Sequence, residues 1–176
     1  LALEFYLVIK FVVVASRFGW VAMGGSEAGL AILTLPKSSR KAALSEIKEF
    51  APDAVEDTSA FDDLPNRLQR YFNGEKVLFP ERLNQSGATT FHRAVWNATV
   101  SIPYGETRTY AWVAQQIGKP RALRAVGGAL ARNPFPIIVP CHRVVASNGN
   151  LGGFRGGLAL KRRLLELEAG RLRVLS

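Results

Sequence analysis

Residues 109–132 read TYAWVAQQIGKPRALRAVGGALAR, and the fold of the C-terminal half turns on how this stretch is parsed. The spacing predicts a helix over 109–117 closed by Gly118-Lys119-Pro120, then a second helix over 121–132 stopped by Asn133-Pro134, because a proline disfavours helical backbone in the residue before it. Two short helices joined by a tight, glycine-containing turn are the pattern of a helix-turn-helix. The second helix has two faces. Leu123, Val126 and Leu130 give an apolar stripe for packing, while Arg121, Arg124, Gly128 and Arg132 recur on another side. The adjacent Gly127 and Gly128 each cost a helix about 1 kcal/mol relative to Ala. Either another helix packs tightly against them, or a partner approaches this backbone closely. Arginines alternating with very small residues favour a nucleic-acid surface.

Outward from this stretch, Thr90 is placed to cap a helix from Phe91 to about Val100, with Phe91, Val95 and Ala98 at helical spacing. A last helix is expected from Gly157 to about Ala169. The N-terminal half reads differently. Phe5–Ala15, Gly19–Gly24 and Gly29–Leu35 carry strand signals, with a turn at Gly25-Ser26-Glu27. Helices follow at Ser38–Phe50, with a Ser cap and apolar Ala42, Leu44 and Ile47, and at Leu64–Phe72, begun by Pro65 and stopped by Asn73-Gly74. Gln85-Ser86-Gly87-Ala88 is the most linker-like point. The expected architecture is an α/β N-terminal domain with a small antiparallel sheet over 1–86. A mainly helical, winged-helix-like domain containing the helix-turn-helix follows over 87–176.

The charge changes at the same boundary. The chain of 176 residues carries a net +9, yet residues 87–176 hold 13 Lys and Arg against three Glu, a net of +10. The first 86 residues hold 10 basic and 11 acidic residues, a net of −1. A confined excess of this kind points to an acidic partner at the C-terminal half. A hydrophobic fraction of 48% with 21% charged residues describes an ordinary globular chain. Phe5–Ala15 (FYLVIKFVVVA) is too short for a membrane helix, which needs about 20 apolar residues, and Lys10 interrupts it. A core strand is the better reading of its Val, Ile, Phe and Tyr content. One cysteine and two histidines leave no internal disulfide and no Cys/His zinc site, so neither a metal nor a cofactor is expected. A lone thiol fits a reducing compartment, and a cytoplasmic address is the expectation.

That cysteine sits in Asn133-Pro134-Phe135-Pro136-Ile137-Ile138-Val139-Pro140-Cys141-His142-Arg143-Val144-Val145. Three prolines stiffen the approach to it, so Cys141 is expected on an extended segment outside regular structure. A free thiol is only roughly 3% thiolate at pH 7. Chemistry at Cys141 therefore needs a base and a positive surrounding. His142 and Arg143 are adjacent, but neighbours on extended chain point apart, which favours action through a water or a turn. A base wants an orienting carboxylate, and only Glu106, Glu166 and Glu168 follow Gly87. Glu168 borders the apolar face of Leu164 and Leu165, whereas Glu166 lies away from it. Spacing leaves two readings of Glu168: a core-facing partner, or an exposed residue in a fraying last turn.

The segment Ile138–Val145 is similar to the active-site signature of the O6-alkylguanine-DNA alkyltransferases. The resemblance runs from about Phe91 to Gly170. It includes Ile102-Pro103-Tyr104-Gly105-Glu106-Thr107, Tyr110, Arg121 to Ala129, Asn133-Pro134, and Gly156-Gly157-Leu158-Ala159 leading to Leu164–Glu168. It implies that Cys141 accepts an alkyl group from O6 of guanine, once and permanently. His142 would deprotonate it through a water, Glu168 would orient His142, and Asn133 would support the loop. Tyr110 would crowd the target phosphate and touch the guanine edge. Arg124 would fill the space of the extruded base, with Arg121, Gly127 and Gly128 on the same DNA-facing helix. Backbone groups near Cys141, Val144 and Arg155 would hold the guanine. Extrusion suits the chemistry, since O6 is unreachable inside the stack, and an arginine wedge with small residues suits minor-groove entry. The implied partner is double-stranded DNA containing O6-alkylguanine, bound by a monomer. His92 stands where the family commonly has Gln, and Arg155 replaces smaller residues. Two rival readings are a lesion-binding protein without chemistry and a cysteine hydrolase built on Cys141, His142 and Glu168. The first leaves the acceptor cysteine unexplained, and the second leaves the charge asymmetry unexplained.

Overall fold

A computed structural model describes residues 7–172. The backbone divides into two compact units, Leu1–Asn84 and Gln85–Ser176.

In the first unit, β1 (Lys10–Ser16), β2 (Gly19–Ser26) and β3 (Gly29–Leu33) form an antiparallel meander. A fourth strand, β4 (Val55–Glu56), pairs with β1 in parallel, so the order is β3-β2-β1-β4. The expected antiparallel sheet is thus a mixed one. A parallel neighbour requires a long crossover, and β2, β3 and helix α1 (Arg40–Phe50) supply it. Val55 N–H then donates to Ile9 O and Asp57 N–H to Phe11 O. The first strand begins at Lys10 rather than Phe5, and residues 5 and 6 lie outside the described residues.

The turn between β2 and β3 falls at Glu27-Ala28, not at Gly25–Glu27. Gly25 pairs with Leu30 inside the ladder, and a Cβ there would sit 2.5 Å from Gly29 O. This glycine serves close strand approach rather than chain reversal. Ser39, not Ser38, caps α1 by accepting from Ala42 N–H. Ala43 and Ile47 face the sheet, packing with Phe11, Ala22, Ile32 and Ala54, so Ala43 takes the central place expected of Ala42. Helix α2 (Leu64–Phe72) has Pro65 in its first turn and buries Leu64, Leu68, Tyr71 and Phe72.

The second unit is mainly helical: α3 (Thr90–Val100), α4 (Tyr110–Gln116), α5 (Leu123–Ala131) and α6 (Leu158–Glu168). One 3-10 turn spans Cys141–Arg143, and a two-stranded parallel ribbon joins β5 (Arg108–Thr109) to β6 (Val144–Val145). Thr89 rather than Thr90 caps α3, accepting from His92 N–H, and Thr109 caps α4, accepting from Trp112 N–H. α5 starts at Leu123, which leaves Arg121 in the preceding turn. Leu123 is consequently a first-turn residue, 45% exposed, and the packing stripe is Val126, Ala129 and Leu130. Trp96 ties α3 to α5 by donating its indole N–H to Ala129 O at 2.9 Å. No helix among the described residues is long and apolar enough to cross a membrane.

Candidate active site

The segment leading to Cys141 is held by more than its prolines. Asn133, almost fully buried, donates from Nδ2 to Val139 O at 2.9 Å and accepts from Phe135 N–H through Oδ1 at 2.9 Å. Val139 N–H returns to Phe135 O at 2.8 Å. Ile137 takes φ 75, a left-handed conformation that a β-branched residue adopts only when its surroundings impose it. The loop is therefore a closed, hydrogen-bonded unit aimed at its last residue.

Cys141 itself begins a 3-10 turn, contrary to the extended backbone expected. Arg143 N–H donates to Pro140 O and Val144 N–H to Cys141 O. Successive side chains on such a turn diverge by about 120°. This divergence leaves the Cys141 side partly open while His142 is fully buried.

Glu168 faces inward, which resolves its two readings. Its position seven residues after Lys161 and four after Leu164 places it on the buried face of α6. His142 Nε2 lies 2.7 Å from Glu168 Oε1. Arg143 donates from Nε to Oε2 at 2.8 Å and from Nη2 to Oε1 at 3.0 Å, and Gly105 N–H donates to Oε2 at 3.2 Å. Arg143 is itself fixed by Ile102 O, at 2.7 Å from Nη1, and by the Tyr104 ring. Burial alone would raise the Glu168 carboxyl, but the hydrogen bonds and charges of His142 and Arg143 outweigh it and hold the group far below the usual carboxylate range. Burial pushes the His142 imidazole down, against the pull of Glu168. The resting pair is then a carboxylate and a neutral imidazole. Its hydrogen sits on Nε2 facing Glu168, and Nδ1 is left basic.

The positive field at the sulfur does not come from Arg143, whose charge Glu168 neutralises. Burial pushes the Cys141 thiol up, while a hydrogen bond from Asn133 and the charges of Lys161 and Arg155 pull it down. The net direction is upward, so the resting sulfur is a thiol that needs a base. Lys161 was missed in the sequence. It is wholly buried on α6, and its Nζ donates to Val144 O at 2.6 Å, to Leu151 O, and to Gly153 O at 3.1 Å. Burial pushes its pKa down to about 8. The signal was there: Lys161, Leu164 and Glu168 share one helical stripe, and a lysine in an apolar stripe wants partners.

The remaining expected residues surround this centre unevenly. Tyr110, at the start of α4, donates to Gly153 O at 3.4 Å, with the Lys161 ammonium 5.9 Å from its ring. A Cβ on Gly152 would come within 2.6 Å of the Tyr110 oxygen, so the 151–153 loop leans directly on that ring. Arg124 is exposed on α5, Arg121 is exposed before it, and Arg155 is exposed on the loop ahead of α6. The nearest atom to a Cβ on Gly127 would be Tyr110 Cε1 at 3.9 Å, and on Gly128 Arg132 Nη1 at 3.3 Å. Among the described residues, no backbone of another helix comes within 4 Å of either added Cβ, so close helix–helix backbone packing does not explain them. Val144 uses its N–H for Cys141 O and its carbonyl for Lys161. His92 stacks on Trp96, with ring centroids 5.7 Å apart. Among the described residues, no three His, Cys, Asp or Glu gather as metal ligands.

Residues 90–170 match the family described as 6-O-methylguanine DNA methyltransferase, DNA binding domain. The chain is 42% identical over 161 residues to a methylated-DNA–protein-cysteine methyltransferase of Methanosarcina barkeri, covering 92% of this chain and 98% of the relative. It is 50% identical over 115 residues to the protein of that name from Mycobacterium tuberculosis, covering 65% of this chain and 69% of the relative. The crystal structure of Mycobacterium tuberculosis OGT in complex with DNA superposes with a TM-score of 0.77 at 40% identity, covering 92% of this chain and 94% of that one.

Proposed function

The chain belongs to the methylated-DNA–protein-cysteine methyltransferase family, and from that premise we propose that it repairs DNA by moving an alkyl group from O6 of guanine to the Cys141 sulfur. The observation that carries this reading is the buried pair of Glu168 and His142, with His142 next in the chain to a partly open cysteine. Because Nε2 is engaged with Glu168, the thiol proton leaves by Nδ1, through one bridging water. The thiolate then attacks the alkyl carbon, the carbon–O6 bond breaks, and guanine departs with the electron pair and takes up a proton. The thioether left on Cys141 has no leaving group comparable to guanine, so each chain acts once.

Asn133 keeps the loop closed beneath the sulfur. Lys161, a positioning residue, draws the carbonyls of Val144, Leu151 and Gly153 into one frame beside it. Guanine held by Val144 would use the second lone pair of that carbonyl, and the backbone at Cys141 and Arg155 would complete the pocket. α4, the turn and α5 act as a helix-turn-helix within a winged-helix-like unit of residues 87–176, and residues 1–86 form a separate domain. α5 enters the minor groove of duplex DNA as a monomer's reading helix. Gly127 and Gly128 admit the backbone, Arg121 steadies it, Arg124 fills the gap of the flipped base, and Tyr110 crowds the adjoining phosphate. A cytoplasmic site of action suits the single free thiol.

Duplex DNA carrying tritium in the methyl of O6-methylguanine tests this directly. Label should pass to the native protein up to one equivalent and not at all to Cys141→Ala. Label on the Cys141→Ala protein would assign the acceptor elsewhere.

A further inference from the structure

The turn between α3 and β5 grips the Glu168–Arg143 pair at both of its charges. Ile102 O accepts from Arg143 Nη1 at 2.7 Å, and Gly105 N–H donates to Glu168 Oε2 at 3.2 Å. Gly105 takes φ 80, and a Cβ there would lie 3.2 Å from Glu168 O, so a glycine lets the turn come this close. Between the two contacts in sequence stands Tyr104, partly buried, with its ring centroid 5.7 Å from Arg143 Cζ. The negative face of such a ring attracts a guanidinium at that range. Tyr104 carries no charge of its own, since burial and Glu168 push its hydroxyl above the ordinary range. The cation it walls in is the one that competes with the imidazole. Glu168 Oε1 is shared by Arg143 Nη2 at 3.0 Å and His142 Nε2 at 2.7 Å.

We propose that Tyr104 is a positioning residue for alkyl transfer. By holding Arg143 on the oxygen that it shares with His142, the ring sets how much of the Glu168 charge His142 feels. It thereby sets the pH above which His142 can take the thiol proton. The inference rests on the reading of His142 as the base for Cys141. Around the imidazole stand Glu168 and Lys161 from α6, with Cys141 and Arg143 on either side of it in the chain. α3 also packs on this 3-10 turn, and its only charged or titratable side chains are His92, stacked on Trp96, and Arg93, which is exposed. Burial lowers the proton affinity of His142 most, Glu168 opposes this, and Arg143 and Lys161 add to it. An Arg143 released from its wall therefore acts twice in one direction. It frees Oε1 for the imidazole and withdraws a positive charge, so His142 keeps its proton to higher pH.

The test uses the full-length protein with saturating O6-methylguanine duplex. Single-turnover rates across pH read the acid limb, and NMR titration of the imidazoles reads His142 itself. The chain has two histidines, so a His92→Gln variant assigns the signals. Tyr104→Leu should raise both midpoints by roughly half a pH unit, because a cation–π contact is worth only a few-fold in an equilibrium. Tyr104→Phe keeps the ring and should keep both native midpoints. Unmoved midpoints in a folded Tyr104→Leu protein, even with a lower melting temperature, would make the ring ordinary packing and overturn the proposal. A Tyr104→Phe protein that shifts as Tyr104→Leu does would overturn it too. A native acid limb that does not follow the His142 titration would instead strike at the reading of His142 as the base.

Discussion

At Glu168, one carboxylate serves a guanidinium, Arg143, and a neutral imidazole, His142, and its worth depends on which is considered. Arg143 needs it structurally, because removing one partner of a buried pair leaves an uncompensated charge. His142 needs it chemically, because Glu168 raises the basicity that burial lowers. Glu168→Gln keeps the shape and removes the charge. Alkyl transfer should slow by about 10²-fold or more, the lower end of general-base assistance, with DNA affinity nearly unchanged and the apparent thiol pKa raised. Stopped-flow rates and DNA titrations read both, and a normal rate in a folded variant would take Glu168 out of the proton path. The pH dependence has a definite sign. His142 has a folded pKa below its ordinary 6.5, so the stability gained by keeping it neutral is complete above pH 6.5 and lost as pH falls through the folded value. Glu168, depressed from 4.5, adds a second loss further into acid. Thermal melts should therefore lose stability below pH 6.5, and the acid limb of the transfer rate should also lie below 6.5. A limb above 6.5 would contradict a neutral resting imidazole.

Helix α5 carries a conflict between stability and binding. Gly127 and Gly128 weaken the helix, yet nothing in the described residues packs on them closely enough to demand glycine. Gly127→Ala should raise unfolding stability by up to about 1 kcal/mol, because the added methyl meets only Tyr110 at 3.9 Å. It should also weaken duplex binding. Denaturant melts and DNA titrations measure the two, and unchanged affinity would mean that DNA does not approach this backbone. Arg124→Ala should impair repair of duplex DNA far more than reaction with free O6-benzylguanine, which needs no base extrusion; equal losses would make Arg124 a support of the pocket. At this scale the sequence was most informative where a cap or breaker was present. Pro65 and Asn73-Gly74 bound α2, and Gly118 and Asn133-Pro134 separate the later elements. It misled where two like residues competed, as with Thr89 and Thr90 or Ser38 and Ser39, since either hydroxyl can cap. Strands β4, β5 and β6 are two residues long, too short to print a period. The 3-10 turn at Cys141 was hidden because proline stiffness says nothing of the hydrogen bonds that close the loop. Lys161 was overlooked because a lysine is read as surface unless its helical stripe is followed through.

Over the whole molecule, the charge excess sits entirely beyond residue 86, in the unit that also holds Cys141. Phosphate neutralisation by that unit should make duplex affinity fall steeply with salt, with a slope of about −0.9 per phosphate contacted. A titration between low and moderate salt showing no slope would remove electrostatics from recognition. The central claim is that one chain consumes one lesion by becoming its product. Intact-mass spectrometry after incubation with excess O6-methylguanine duplex tests it most directly. The account predicts a gain of one methylene per chain, on the peptide containing Cys141, with repair ending at one equivalent. Continued repair by a protein of unchanged mass would contradict it.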